Sequence, residues 1–164
     1  FCLFRSIEKN SHFCCMKRLN FPVFNHRFKN SENKSYIFDI IRKKFIRLSS
    51  EEWVRQNTIH FFVYIKNYPI SLINVEKKIT VNNISKRFDI IIFNRNGLIE
   101  ILVECKSSSV SINQKVFDQI ALYNMSVNSR FLMLTNGLDH YFCFMNYKLK
   151  NYEFLKNIPK CNYK

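Results

Sequence analysis

Apolar and polar residues alternate along much of the chain, and this alternation predicts short strands. Residues 73–81 carry apolar side chains at every second position except Lys77, and residues 87–93 and 98–105 continue the strand pattern. Other segments are short and rich in β-branched and aromatic side chains. Further strands are predicted at residues 36–39, 44–48, 130–135, 140–147 and 152–155.

A helix is predicted to follow Ser49. Ser49 and Glu52 have the spacing of a capping box, in which the serine hydroxyl accepts a hydrogen bond from the backbone at the third helical position. The helix should end near Asn67, because Pro69 disfavours helical backbone at the residue before it. The apolar side chain of Trp53 is expected to belong to the core.

A second helix is predicted from a cap at Ser111 to about residue 127. From residue 50 the predicted order is a helix, three strands, a helix and one or two strands. Hairpins give antiparallel pairs, and a helical crossover gives a parallel pair. The sequence therefore predicts an α/β fold with a mixed central sheet flanked by helices.

One domain is predicted at residues 16–164. The chain has 164 residues, of which 47% are hydrophobic, and this excludes a disordered class of protein. Residues 1–15 show no helical or strand period, and they lack the apolar centre and cleavage site of a signal peptide. We expect Met16 to be the natural start and residues 1–15 to be a non-native or disordered extension.

The charge is strongly basic. The chain has 26 Lys and Arg against 12 Asp and Glu, a net charge of +14, which favours a polyanionic partner. Nucleic acid is the first candidate for this partner, and an anionic membrane surface is the second. Alternatively, an AT-rich coding sequence would enrich lysine without any such partner. The chain has no basic amphipathic helix and no apolar run near the roughly 18 to 20 residues of a membrane span. We therefore expect no membrane partner and a cytoplasmic location.

The six cysteines do not indicate a zinc site. No two of them have Cys-x-x-Cys spacing, and no histidine pair lies nearby at zinc-ligand spacing. They are typical of buried or incidental thiols in a reducing compartment.

A predicted hairpin brings two carboxylates together. If Asn96 and Gly97 form a two-residue turn, the numbers of facing residues sum to 193. Asp89 then lies directly opposite Glu104, with Cβ atoms about 4.5 to 5.5 Å apart. Lys106 is two residues beyond Glu104 and lies on the same face.

Two facing carboxylates within apolar strands are tolerated when a cation lies between them or when one of them stays protonated. A hard divalent ion, Mg²⁺ or Mn²⁺, would accept both as oxygen ligands, and the backbone carbonyl of Cys105 could be a third. The alternative is a structural salt bridge of Asp89 or Glu104 with Lys106 or Arg87. Spacing alone leaves both interpretations open.

These residues resemble a known nuclease signature. Asp89 followed by Glu104-Cys105-Lys106 is similar to the metal-binding motif of the PD-(D/E)xK nuclease superfamily, whose αβββαβ core matches the predicted order. Gln119 and Tyr123 resemble the QxxxY helix motif of its RecB-like branch. Four segments are similar to the N-terminal nuclease domain of type I restriction enzyme R subunits, in its short stand-alone form. They are SEEWVRQ at 50–56, LVECK at 102–106, VFDQIALYN at 116–124 and TNG at 135–137.

The resemblance implies roles for particular residues. Asp89 and Glu104 would hold Mg²⁺, or Mn²⁺, with help from the Cys105 carbonyl. Lys106 would orient or help deprotonate the attacking water and offset the charge of the transition state. Two helix residues, Gln119 and Tyr123, would position the substrate strand or the surroundings of Lys106.

The resemblance also implies a restriction-endonuclease-like fold and a metal-dependent DNA endonuclease of a restriction, defence or repair system. Phe88 stands where the signature's name has proline. No GxxxxGK[ST] phosphate loop occurs in this sequence, so ATP-driven translocation is expected to come from elsewhere, with a separate helicase or specificity subunit as one candidate partner, or to be absent. A homodimer would allow a double-strand cut. The alternative function is a catalytically silent module of the same fold that binds DNA or a protein.

The sequence does not decide whether two further acids, Glu52 and Glu76, belong to the site. Glu52 is a candidate ligand because many members of the superfamily add an acid from the first helix, but capping also accounts for it. Glu76 is expected to point outward beside Lys77 and Lys78.

Overall fold

The computed structural model describes residues 16–81 and 84–162 as a mixed α/β fold with two sheets. The expectations for residues 1–15 therefore lie outside the described residues. The first sheet is formed by β1 (Phe28–Ser31), β2 (Lys34–Asp39) and β3 (Lys44–Arg47). The second contains β4 (Ile73–Val81), β5 (Ile84–Phe93), β6 (Ile99–Cys105), β7 (Phe131–Thr135), β8 (His140–Asn146) and β9 (Asn151–Leu155), in that order.

Two α-helices accompany the sheets within the described residues. Helix α1 (Ser50–His60) continues into a π-helical turn at Phe61–Ile65, and a short 3₁₀ turn at Ile70–Leu72 leads into β4. Helix α2 (Gln114–Val127) connects β6 to β7. Neither helix in the described part of the chain is long and apolar enough to cross a membrane.

The large sheet is mixed, as predicted. Strands β6 and β7 run parallel, and all its other neighbouring strands run antiparallel. A parallel pair needs a long crossover connection, which α2 supplies. The strand pairs predicted at residues 36–39 and 44–48 are also present, as β2 and β3, whereas β1 was not predicted.

The caps explain where the helices begin. The Ser49 hydroxyl accepts a hydrogen bond from the backbone N–H of Glu52 at 3.1 Å, as predicted. Helix α2, however, is capped by Asn113 and not by Ser111. The Asn113 side chain accepts a hydrogen bond from the backbone N–H of Val116 at 3.0 Å. The helix therefore begins two residues later than the predicted cap at Ser111 implied.

The turn between β5 and β6 differs from the predicted two-residue turn. The backbone N–H of Asn94 donates to the carbonyl of Leu98 at 2.8 Å, so three residues and not two form the loop. The Asn94 side chain also accepts hydrogen bonds from the N–H groups of Asn96 and Leu98. Gly97, at φ +75°, provides the left-handed backbone that this loop requires.

The predicted strand register nevertheless holds further from the turn. The ladder shifts by one residue between Ile92 and Phe93, and beyond this shift Ile90 lies opposite Val103. Those two numbers sum to 193, the predicted value. The extra loop residue and the irregularity in the ladder cancel, so the ends of β5 and β6 meet as expected.

The large sheet has an apolar core on each face. Side chains of α1 pack on one face and side chains of α2 on the other, so the central strands are apolar on both sides. The α1 core includes Val54, Ile59, Ile90, Ile92, Ile101, Val103 and Met133. The α2 core includes Phe117, Ile120, Ala121, Ile91, Leu102, Leu132 and Leu134.

Gly137→Ala should destabilise the protein more than Gly97→Ala. Both glycines have positive φ, and an L-residue there costs about 1 to 2 kcal/mol. A Cβ at Gly137 would also lie 2.7 Å from Leu19 Cδ2 and 3.0 Å from Val54 Cγ2, whereas a Cβ at Gly97 meets nothing within 4 Å. Overpacking should add about 1 to 3 kcal/mol at Gly137. Urea denaturation of the two variants measures the difference, and equal losses would contradict this packing.

Candidate functional site

The two predicted carboxylates lie together at one end of the hairpin. Asp89 and Glu104 are each one residue beyond the paired Ile90 and Val103. Asp89 Oδ2 accepts a hydrogen bond from the backbone N–H of Cys105 at 2.7 Å. This bond fixes the Asp89 carboxylate beside β6, next to Glu104.

Glu104 is a carboxylate that is held in an unfavourable environment. Its side chain is 13% exposed, and its Oε1 lies 3.1 Å from Lys106 Nζ. Burial and the neighbouring charge of Asp89 raise the pKa of Glu104 above its usual value, although Lys86 and Lys106 act in the opposite direction. An additional positive charge at this position would relieve the repulsion between the two carboxylates.

Lys106 lies beside this pair as a protonated amine. Its backbone N–H donates to the carbonyl of Thr135 at 2.8 Å, which ties the residue to β7. Burial acts to lower the pKa of Lys106, but the carboxylates of Glu104 and Asp89 outweigh this effect and raise it. Lys106 therefore carries a positive charge at neutral pH.

Arg55 connects helix α1 to Asp89. Its Nη2 donates to Asp89 Oδ1 at 2.8 Å and lies 3.0 Å from Glu51 Oε1, and its Nη1 contacts Glu52. The side chain is only 6% exposed. Burial alone would lower the pKa of Arg55, but Asp89 and Glu52 raise it above its ordinary value. Both oxygens of Asp89 therefore accept hydrogen bonds from the protein.

A second arginine gathers further acids. Arg42 donates through Nε to Asp39 at 2.6 Å, through Nη2 to Glu52 at 2.9 Å and through Nη1 to Glu76 at 2.9 Å. Asp39 also accepts a hydrogen bond from the side-chain amide of Gln56 at 2.9 Å. Although burial would raise the pKa of Asp39, its hydrogen bonds to Arg42 and Gln56 lower it. We call these residues the acidic cluster: Asp39, Glu51, Glu52, Glu76 and Asp89, with Arg42 and Arg55.

The sequence pattern predicted that Glu76 points outward beside Lys77 and Lys78, and this prediction is wrong. Its backbone has φ +50°, and the paired residues of β4 and β5 omit Glu76 and Asp89 at this position. The carboxylate of Glu76 contacts Arg42, so the ion pair accounts for its inward orientation. Glu52 is buried in the same cluster, in contact with both arginines, while its backbone is capped by Ser49.

The helix motif lies apart from these contacts. Gln119 is exposed on α2, and the described side chains give it no hydrogen bond to Asp89, Glu104 or Lys106. Tyr123 also belongs to α2, but its side chain lies outside the described part of the structure. Trp53 packs partly buried against the core, as expected.

The sequence analysis missed Asp39, Arg42 and Arg55. The spacing in α1 indicates Arg55, because it lies three residues after Glu52 on the same helix face. Nothing local distinguishes Arg42, since its partners Glu52 and Glu76 are distant in sequence.

The chemistry available is that of two oxygen donors and a cation. Asp89 and Glu104 provide carboxylates, and Lys106 provides a fixed positive charge. Within the described residues, no group of three or more His, Cys, Asp or Glu side chains is arranged to hold a metal ion. A cation bound here would need a further ligand such as the Cys105 carbonyl.

Comparisons with known proteins place the sequence near restriction enzymes. Residues 50–159 match the family model described as type I restriction enzyme R protein N terminus. A solved fragment assigned to an HsdR subunit of a type I restriction enzyme from Vibrio vulnificus YJ016 is similar to 65% of this chain, with 18% identity and a TM-score of 0.44. The match spans only 23% of that chain. No curated protein matches the sequence.

Glu104→Gln should gain stability relative to the wild type as the pH rises. Because the folded-state pKa of Glu104 is raised above 4.5, its contribution to stability is fully present below the unfolded pKa and is lost as pH rises through the folded pKa. Glutamine has no such loss. Urea unfolding at a series of pH values from acid to neutral measures the difference between the two proteins. A variant that instead loses relative stability with rising pH would show that the Lys106 pair dominates.

Proposed function

Because this chain belongs to the family of type I restriction enzyme R protein N termini, we propose that it is a Mg²⁺-dependent DNA endonuclease. It would hydrolyse phosphodiester bonds as part of a restriction system, with a PD-(D/E)xK active site. The observation that carries this proposal is the adjacency of Asp89, Glu104 and Lys106 where β5 and β6 meet.

The residues present fit a divalent cation. Carboxylate and carbonyl oxygens are the ligands that Mg²⁺ and Mn²⁺ prefer. Asp89, Glu104 and the Cys105 carbonyl would hold the ion. The raised pKa of Glu104, caused by burial and by Asp89, supports this assignment, because it marks a position where a second positive charge is favourable. When bound, a divalent ion lowers the pKa of a water ligand and polarises the phosphoryl oxygen.

Lys106 would act through its charge. Its raised pKa keeps the amine protonated, so it is suited to orient the attacking water and to stabilise negative charge on the phosphoryl oxygens in the transition state. Proton abstraction by Lys106 is less well supported, because Glu104 and Asp89 both favour its charged form. The hydrogen bond from its backbone to Thr135 keeps the residue in place.

Two residues of the RecB-like helix motif extend the proposed site. Gln119 is exposed and accessible to a DNA strand, and Tyr123 lies one helical turn further along α2. We assign both a role in positioning the substrate. Glu52 is better explained by its ion pairs with Arg42 and Arg55 than by metal binding.

The proposed partners follow from the same assignment. The substrate is DNA, and a helicase or a specificity subunit is the proposed further partner. One active site cuts one strand, so a double-strand break would require a homodimer or two successive nicks.

A second candidate function is a DNA-binding module without catalytic activity. The observation that favours it is the state of the two carboxylates. Arg55 and Cys105 already donate to Asp89, and Lys106 already contacts Glu104. In this alternative the three residues are a structural ion-pair cluster.

Plasmid nicking tests the proposal. The wild type should nick supercoiled plasmid with Mg²⁺ and not with EDTA. Asp89→Asn should abolish nicking because it removes a metal ligand, and Lys106→Ala should slow it by about 10² to 10⁴-fold.

Glu100→Gln is the matched control. Glu100 is an acid of the same strand, β6, and its side chain is also 13% exposed, but it pairs with Arg130 at the other end of the strand. It should retain nicking at the wild-type rate. If the wild type binds the plasmid but does not nick it with Mg²⁺ or Mn²⁺, the result supports the binding-module function.

A further inference from the structure

Strands β4 and β5 form a two-stranded ribbon that extends past the central sheet. The pairing of β5 with β6 ends at Ile90 and Val103. The pairing of β4 with β5 continues from there through Lys77 opposite Phe88 to Val81 opposite Ile84. We call residues 77–81 and 84–88 the basic ribbon.

The basic ribbon contains four cations and no acid. Phe88 and Ile79 pack toward the α2 core, which leaves the other face for polar side chains. On that face Lys78 lies directly opposite Arg87, and Thr80 lies directly opposite Ser85. All four of these side chains are exposed. Cations and hydroxyls are the groups that contact DNA phosphates in complexes.

The facing positive charges of Lys78 and Arg87 lower the stability of the basic ribbon. Like charges directly opposite each other on paired strands are destabilising. Among the described residues, the ion pairs leave Lys78 and Arg87 without a carboxylate partner, because Arg42 and Arg55 take the nearby acids. A bound polyanion would turn this repulsion into attraction.

Protection of a sheet edge is the structural alternative. Lysines on an edge strand prevent pairing with other chains, and β4 is the edge strand of the large sheet. This accounts for Lys77 and Lys78. Within residues 84–88, β5 is also an edge strand, because its pairing with β6 ends at Ile90, so edge protection accounts equally for Lys86 and Arg87. Edge protection predicts aggregation of a variant that lacks these charges, whereas DNA binding predicts a loss of affinity.

The basic ribbon also lies next to the candidate site. Arg87 is two residues before Asp89 on the same strand. The charge of Lys86 is close enough to Glu104 to act on its pKa, in the direction opposite to burial and Asp89. Lys86 and Lys77 lie over the rings of Phe88 and Phe93, at 5.0 Å and 4.9 Å, which limits the movement of both amines.

We propose that the basic ribbon is the surface that binds duplex DNA and leads a strand to Asp89 and Glu104. A two-stranded ribbon fits the major groove of B-DNA, which is about 12 Å wide. Lys78 and Arg87 contact phosphates on either side, and Thr80 and Ser85 donate further hydrogen bonds. This inference rests on the proposed function, because it assumes that DNA is the substrate.

Binding measured without divalent ions tests this surface separately from catalysis. A fluorescent duplex is titrated with the full chain in EDTA at a series of KCl concentrations, and anisotropy gives the Kd. The double variant Lys78→Gln/Arg87→Gln should weaken binding and reduce the slope of log affinity against log salt by about 1.8, for two lost phosphate contacts. Its melting temperature should be unchanged or higher, because the facing charges are gone.

The matched control is Lys148→Gln/Lys156→Gln. These lysines are exposed beside β8 and β9, at the opposite edge of the large sheet, and their loss changes the net charge equally. The control should keep nearly the wild-type slope. Equal effects of the two variants, no binding by the wild type, or aggregation of the ribbon variant with unchanged affinity would each overturn the proposal. Normal binding without Mg²⁺-dependent nicking would instead reject the endonuclease and leave the ribbon assignment standing.

Discussion

The site depends on the buried guanidinium of Arg55. Helix α1 and strand β5 meet at a place where several carboxylates have left water, and desolvated charges are stable only when they are paired and hydrogen-bonded. Arg55 pairs with Asp89 and Glu52 through a side chain that is only 6% exposed, and it also contacts the exposed Glu51. It therefore fixes the helix and the strand relative to each other.

This arrangement divides the carboxylates into two kinds. Those of the acidic cluster form ion pairs with Arg42 and Arg55, and Asp89 also accepts a hydrogen bond from the backbone of Cys105. Glu104 lies outside the cluster, and Lys106 is the only cation within ion-pair distance of it among the described residues. Because Asp89 is held rigidly beside Glu104, their repulsion persists. The fold thus holds one carboxylate in place and leaves the other with a raised pKa despite its ion pair with Lys106.

The sequence predicted the local structure of this site well, because caps and periodicity are local. The Ser49 cap places α1, and the strand pattern places β5 and β6. The facing positions of Asp89 and Glu104 were predicted from a two-residue turn that does not form. The three-residue loop and the shift at Phe93 cancel, so the register survived an incorrect turn.

The ion-pair network could not be predicted in the same way. Arg42 reaches Glu76 across 34 residues, and the contact depends on the positive φ of Glu76 within a strand pattern. Period-two alternation predicts an outward side chain there. The acids and arginines are individually ordinary in sequence, and only the packing of the first three strands and α1 against the large sheet brings them together.

We propose that Asp89 and Glu104 together bind a divalent ion. Isothermal titration of Mn²⁺ into the wild type, Asp89→Asn, Glu104→Gln and the control Glu100→Gln measures this binding. We expect the wild type and Glu100→Gln to bind Mn²⁺ and the other two variants to lose binding. We also expect proton release on binding when the pH is low enough for Glu104 to be partly protonated. Equal Mn²⁺ binding by all four proteins, or binding by none, would contradict this proposal.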